Sequence, residues 1–153
     1  MHDSHTHRWR KRGAATLVES AIVLPVCLLL LLGMLELSIA LVRHTVMSET
    51  ARRVARAAII HGAMSEAAQG QWGPAPLSLS AADSHLAAEA AQPVLMTLNP
   101  ADVQISLSWP DGDNQPDDRV RVAVSYTHQP IVPIPGWYSQ LSLTGVSTMR
   151  IAH

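Results

Sequence analysis

At 153 residues, with 48% hydrophobic and 15% charged side chains, the chain has room for one small domain at most. A net charge of −1 and an acidic stretch after Gly62 exclude the electrostatic footprint of a nucleic-acid binder. Aromatics make up only 4% with no Phe, so the soluble core is thin, and a lone Cys27 excludes an intrachain disulfide.

Residues 1–13 read as a basic tail carrying Arg8, Arg10, Lys11 and Arg12. Its His2, His5 and His7 can pick up a stray divalent metal, but the tract reads as a solvated polar tail rather than a metal site. From Ala21 to Val42 the run AIVLPVCLLLLLGMLELSIALV has Glu36 as its only charge. As a helix rising about 1.5 Å per residue it spans the ~30 Å hydrocarbon core of a bilayer. The mean hydropathy of +0.13 is therefore an average over two materials, a membrane span and a water-soluble remainder. The tripeptide Ser38-Ile39-Ala40 loosely fits a signal-peptide cleavage site, yet the apolar run exceeds the usual ~7–15 residues and is bracketed by Glu19 and Glu36. The Lys/Arg cluster before the span outweighs Arg43, Arg52, Arg53 and Arg56 beyond it, which predicts a cytoplasmic N-terminus and an exported C-terminal part.

No Pro interrupts RHTVMSETARRVARAAIIHG, and Gly62 is a natural stop, so one long helix is expected over 14–62. Met47, Ala51, Val54, Ala58 and Ile59 form an apolar stripe on it, and Glu49 precedes Arg53 in the favourable order for an ion pair. Gln69–Ser80 reads as a Gly/Pro/Ser loop. A second helix is expected from Ala81 to Leu98, with Ser80 as cap and Pro93 as kink or end. The period then changes to two. Val103, Ile105, Leu107 and Trp109 alternate with polar residues, as do Val120, Val122, Val124 and Tyr126, and PDGDNQPDD between them predicts an antiparallel hairpin. A third strand is expected over Leu141–Ile151. The predicted fold class is α+β: a long N-terminal transmembrane helix running into a small lobe (63–153) with a second helix and a three-stranded antiparallel sheet.

Two carboxylates carry the chemistry. A charge at the bilayer centre costs ~2.5–3.5 kcal/mol, less near the ends, so Glu19 and Glu36, roughly 25 Å apart along the axis, need a reason. They read either as groups snorkelling to the head groups or as partners for positive groups on neighbouring helices. Pro25 leaves the Ala21 carbonyl without its helical donor and predicts a kink. Asp111, Asp113, Asp117 and Asp118 invite a calcium reading, but Val122 stands where the closing Glu belongs, so a solvated turn is expected. His61, His85 and His128 are scattered and no nucleophile elbow is present, so no enzyme, metal or cofactor is expected.

The order Arg12, Gly13, Val18, Glu19, Pro25, Gly33, Glu36, followed by Ala51, Arg52, Ala55 and Arg56, resembles the N-terminal region of the TadE/TadG-like family of the tight-adherence (Flp) pilus machinery. That resemblance implies a pseudopilin-like or assembly component of the bacterial inner membrane. Its partners would be other pilus or pseudopilin subunits, membrane assembly proteins and a prepilin peptidase. It further implies cleavage among Gly13, Ala14 and Ala15; a cut after Ala14 makes Glu19 the fifth mature residue, where the family's Glu meets a neighbour's N-terminal amine. The alternative is a single-pass, membrane-tethered extracytoplasmic binding module unrelated to pili, with an aromatic site built from Trp109, Tyr126, Trp137 and Tyr138.

Overall fold

A computed structural model describes residues 6–66, 70–130 and 140–152, with side chains from Thr16 onward. Helix α1 runs unbroken from Thr6 to Ala58 through Pro25, so the turn around the proline is not melted. It begins inside the segment read as a tail and ends four residues short of Gly62. The last turn tightens instead, with Ile60 N–H donating to the Ala57 carbonyl (3.4 Å) and His61 N–H to that of Ala58 (3.1 Å).

By packing, the chain divides into two units, residues 1–38 and 39–153. In the first, Leu17, Ile22, Leu24, Leu30, Leu31 and Leu37 are exposed, the state a lipid-facing helix requires. In the second, residues 39–58 of α1 form one wall of the lobe. Met47, Thr50, Ala51, Val54, Ala55 and Ala58 are buried at helical spacing, so the expected stripe is real and gains Thr50 and Ala55. Ile59 packs at its margin. Glu49 sits 3.6 Å from Arg53 and 4.0 Å from Arg52 on the opposite, half-exposed side.

The sheet has four antiparallel strands in the order β1-β2-β3-β4, one more than expected. β2 (Val103–Ser108) and β3 (Arg119–His128) form the predicted hairpin in the register Val103↔Tyr126 to Ser108↔Arg121. β4 (Leu141–Arg150) is the predicted last strand. The unexpected one is β1 (Leu77–Ser80), inside the stretch read as loop. Its LSLS alternates with period two, but four residues bounded by Pro76 are too few for a local signal. They become a strand because Leu77 and Leu79 sit opposite Leu107 and Ile105 on the buried face.

The second helix is also corrected. Only Leu86–Ala91 (α2) is α-helical, and Gln92–Val94, holding Pro93, is a 3₁₀ turn. Residues 81–84 are diverted by side-chain bonds: Asp83 Oδ2 accepts from Ser80 N–H (2.8 Å) and Ser80 Oγ accepts from Ala82 N–H (3.2 Å). Ser80 therefore ends β1, and His85 caps α2 by accepting from Ala87 N–H through Nδ1 (3.1 Å). Val103, Ile105, Leu107, Val120, Val122 and Val124 fill the core as their alternation predicts.

The helix wall meets the sheet at Gly145 in β4. A Cβ built there would run into the Met47 carbonyl group and the Ser48 amide, so only glycine lets α1 lie this close.

Candidate functional site

The first unit carries the predicted membrane chemistry. Thr16, Glu19, Ser20, Val23, Leu24 and Cys27 recur every three or four residues and line one shallow cavity of about 570 Å³. Ser20 Oγ satisfies itself on the Thr16 carbonyl (2.8 Å) and Ser38 Oγ on that of Met34 (2.8 Å), so these hydroxyls carry no unmet polarity into an apolar surrounding. Glu19 is exposed on this face, beside Thr16, Ser20 and Cys27 and the apolar Val23 and Leu24. The sequence reading named Glu19 but not its face; the spacing of Thr16, Ser20 and Cys27 was the signal that could have found it. Glu36 differs: it is buried at 6% exposure while Leu35 and Leu37 beside it are exposed. Gly13, Ala14 and Ala15 lie within the helical backbone of α1, with side chains outside the described residues.

In the second unit, the three scattered histidines enter two constructions. His61 stacks on Trp72 at 4.3 Å with the planes 1° apart, and His85 tilts against the same indole at 5.0 Å. Trp72 N–H donates to the His61 carbonyl (2.8 Å), Asn114 Nδ2 donates to the Trp72 carbonyl (2.8 Å), and His61 Nδ1 donates to the Gly70 carbonyl (2.8 Å). The segment leaving α1 is pinned by these bonds to the β2–β3 connection. The second construction is Arg43, whose guanidinium donates to Nδ1 of the fully buried His128 and stands 5.5 Å over the Tyr126 ring. Because Arg only donates, Nδ1 of His128 is the unprotonated nitrogen.

The acidic connection is occupied by its own pairings. Arg119 grips Asp111 through Nη2 to Oδ1 (2.6 Å), Nε to Oδ2 (3.0 Å) and its backbone N–H to Oδ2 (2.8 Å). These bonds hold the Asp111 carboxyl down at about 2 and raise the Arg119 guanidinium. Asp118 is pushed up, first by sharing a hydrogen bond with the Asp113 carboxyl. Among the described residues no three His, Cys, Asp or Glu side chains converge to hold a metal ion. Trp109 and Tyr126 are not brought together. Trp109 follows the end of β2 that faces Arg121 and packs on Gly73, whereas Tyr126 faces Val103 at the other end. Trp137 and Tyr138 lie outside the described residues.

Residues 13–56 match the family model described as TadE-like protein. This stretch of the chain is TadE-like. The match lies wholly inside α1, contains Glu19, Pro25 and Glu36, and stops two residues before the helix does. No curated protein and no solved structure matches the chain.

Proposed function

We propose that this protein is a pseudopilin-like assembly component of a tight-adherence (Flp) pilus, anchored in the bacterial inner membrane by α1. The TadE-like match over an apolar helix that leaves most of its large side chains between Leu17 and Val42 exposed is the observation that carries this reading. The protein works by packing, not by catalysis: its helix meets other subunits and its lobe stands outside the cytoplasmic membrane.

The orientation rests on the Lys/Arg cluster before the span outweighing the arginines beyond it. Glu19 is exposed among Thr16, Ser20, Val23, Leu24 and Cys27, and a neighbouring helix that brings an ammonium group to this face gives the carboxylate a partner. Glu36 is the second pairing residue and Pro25, between them, the point of give. Residues 39–58 of α1 form a wall of the lobe.

The test is Glu19→Gln in the native host, scored for pili by electron microscopy and for insertion by alkaline extraction of membranes. Piliation lost with insertion intact is expected; undiminished piliation refutes the pairing role. The intact mass of the extracted chain then places the protein: an N-terminus at Ala14 or Ala15 marks a processed pseudopilin, one at Met1 a permanent anchor.

A further inference from the structure

The exposed side of α1 within the lobe carries more positive charge than its own acids balance. Arg52, Arg53 and Arg56 fall on it at helical spacing, opposite the buried wall of Met47, Ala51, Val54 and Ala58. One carboxylate serves them: Glu49 lies 4.0 Å from Arg52 and 3.6 Å from Arg53, both in solvent-exposed contacts that hold weakly. Among the described residues no carboxylate lies within ion-pair distance of Arg56, and Ile60, one turn further along, is exposed. A guanidinium keeps its charge throughout the working pH range and presents a planar fork matched to a carboxylate. Glu49 on the same face disfavours a uniform sheet of anionic lipid head groups and suits a partner with separate, fixed charges.

The chain itself carries an acidic surface of that kind. In the β2–β3 connection Arg119 grips Asp111, and Arg150 acts on the same carboxylate. Among the described residues no cation lies within ion-pair distance of the Asp113, Asp117 or Asp118 carboxylates, and Asp113 and Asp118 crowd each other instead. This connection lies at the same end of the lobe as the arginines. Ala63 N–H, just beyond α1, donates to the Asn114 carbonyl at 2.9 Å. Ile151 N–H donates to the Asp118 carbonyl at 2.8 Å, and the next amide, Ala152 N–H, donates to the Ile59 carbonyl at 3.0 Å.

We propose that the arginine face of α1, formed by Arg52, Arg53 and Arg56, receives the acidic β2–β3 connection of a second copy of this chain. The two patches carry opposite charge, stand at one level of the lobe and form no ion pair with each other inside the chain. Copies standing side by side therefore bring the one to the other. Because the patches are different surfaces, every copy has both to offer. Arg56 and Asp113 are the positions to vary, since neither holds an ion pair among the described residues. The contact uses only the second unit, residues 39–153, and goes beyond the pilus reading: it stands or falls without Glu19.

The experiment is sedimentation equilibrium of the full chain in density-matched mild detergent at low salt. A Glu19→Gln background keeps pairing through the apolar helix out of the measurement. Self-association is expected, and Arg56→Glu or Asp113→Lys should each weaken it at least roughly tenfold, because like charges then face each other across the contact. An equimolar mixture of the two variants should regain it, since the acidic connection of one still matches the arginines of the other. Unchanged fluorescence of the buried Trp72 and Trp109 reports that each variant lobe is folded. A monomeric Glu19→Gln chain, association that neither variant moves, or a mixture that fails to recover overturns the proposal. Weakening by Arg56→Glu with Asp113→Lys inert shows that the acidic connection is not the occupant and refutes it equally. A monomer that associates only when phosphatidylglycerol is added assigns the face to an anionic head group instead of a second copy. None of these outcomes bears on the piliation of the Glu19→Gln strain, so the two readings fail separately.

Discussion

The sharpest structural prediction concerns Gly145→Ala. A methyl group there meets not a side chain that can turn away but the Met47 carbonyl and Ser48 amide of α1. Carbon contacts settle near 3.5–4.0 Å, so the helix wall or β4 must retreat by about 1 Å. Met47, Ala51 and Val54, each fully buried, lose contact together when it does. Overpacking in cores costs typically ~1–3 kcal/mol. A backbone obstacle belongs at the top of that range, so a loss of about 3 kcal/mol is expected, and Gly145→Val should prevent the lobe from packing on α1. The assay is urea unfolding of the full chain in detergent, followed by the fluorescence of the buried Trp72 and Trp109. Gly33→Ala is the control, because a Cβ there meets nothing within 4 Å. A Gly145→Ala midpoint equal to that of the natural chain would refute the close approach of helix and strand.

Gly73→Ala should destabilise the lobe for two reasons, a backbone φ of +83° and a Cβ inside the Trp109 indole; a lower midpoint in the same assay checks it, and an unchanged one sinks the packing argument. The acidic connection predicts two carboxyls that separate in a ¹³C-detected titration. Asp111 lies below its ordinary 3.8, so its bond to Arg119 is present above that value and is lost as pH falls through about 2. Asp118 lies above 3.8, so its ionised form opposes the fold, and acidification toward that range relieves it. Asp111→Asn should therefore remove the lower-titrating carboxyl while leaving Asp118 raised by Asp113; a single common titration would contradict both assignments.

The elements legible from residue pattern alone were those with enough repeats of one period. Alternation over Val103–Leu107 and Val120–Tyr126 carried the hairpin and its buried face, and the 3.6-residue stripe from Met47 carried the helix wall. β1 failed because LSLS makes only two turns of the alternation beside Pro76, and its strand character comes from Ile105 and Leu107 opposite. α2 was overdrawn because alanine-rich sequence favours helix everywhere, whereas Ser80 and Asp83 spend the first turn on side-chain bonds to the backbone. Of the candidate site, the identities of Glu19, Pro25 and Glu36 were legible because polar or helix-breaking residues in an apolar run are conspicuous. Their different exposure was not, since burial belongs to neighbours that no local period encodes.

Helix α1 changes composition along its length. Through Val42 most of its Leu, Ile and Val side chains are exposed, which in water would be an aggregation hazard and in lipid needs no partner, while Glu36 and Ala40 are buried. Beyond Arg43 the same helix switches to alanines on one side and Glu49, Arg52 and Arg53 on the other, the pattern of a helix with one dry face. Leucine cannot supply specificity inside a bilayer, because the lipid tails are equally apolar. On the assembly reading, recognition within the span comes from what is not leucine: the Thr16–Cys27 face with Glu19, and Glu36. If those positions carry assembly, exchanging Leu28–Leu32 for other large apolar residues should leave piliation intact while Glu19→Gln abolishes it. A chain that merely tethers its lobe should be indifferent to both changes, and only the difference between the two variants distinguishes the roles.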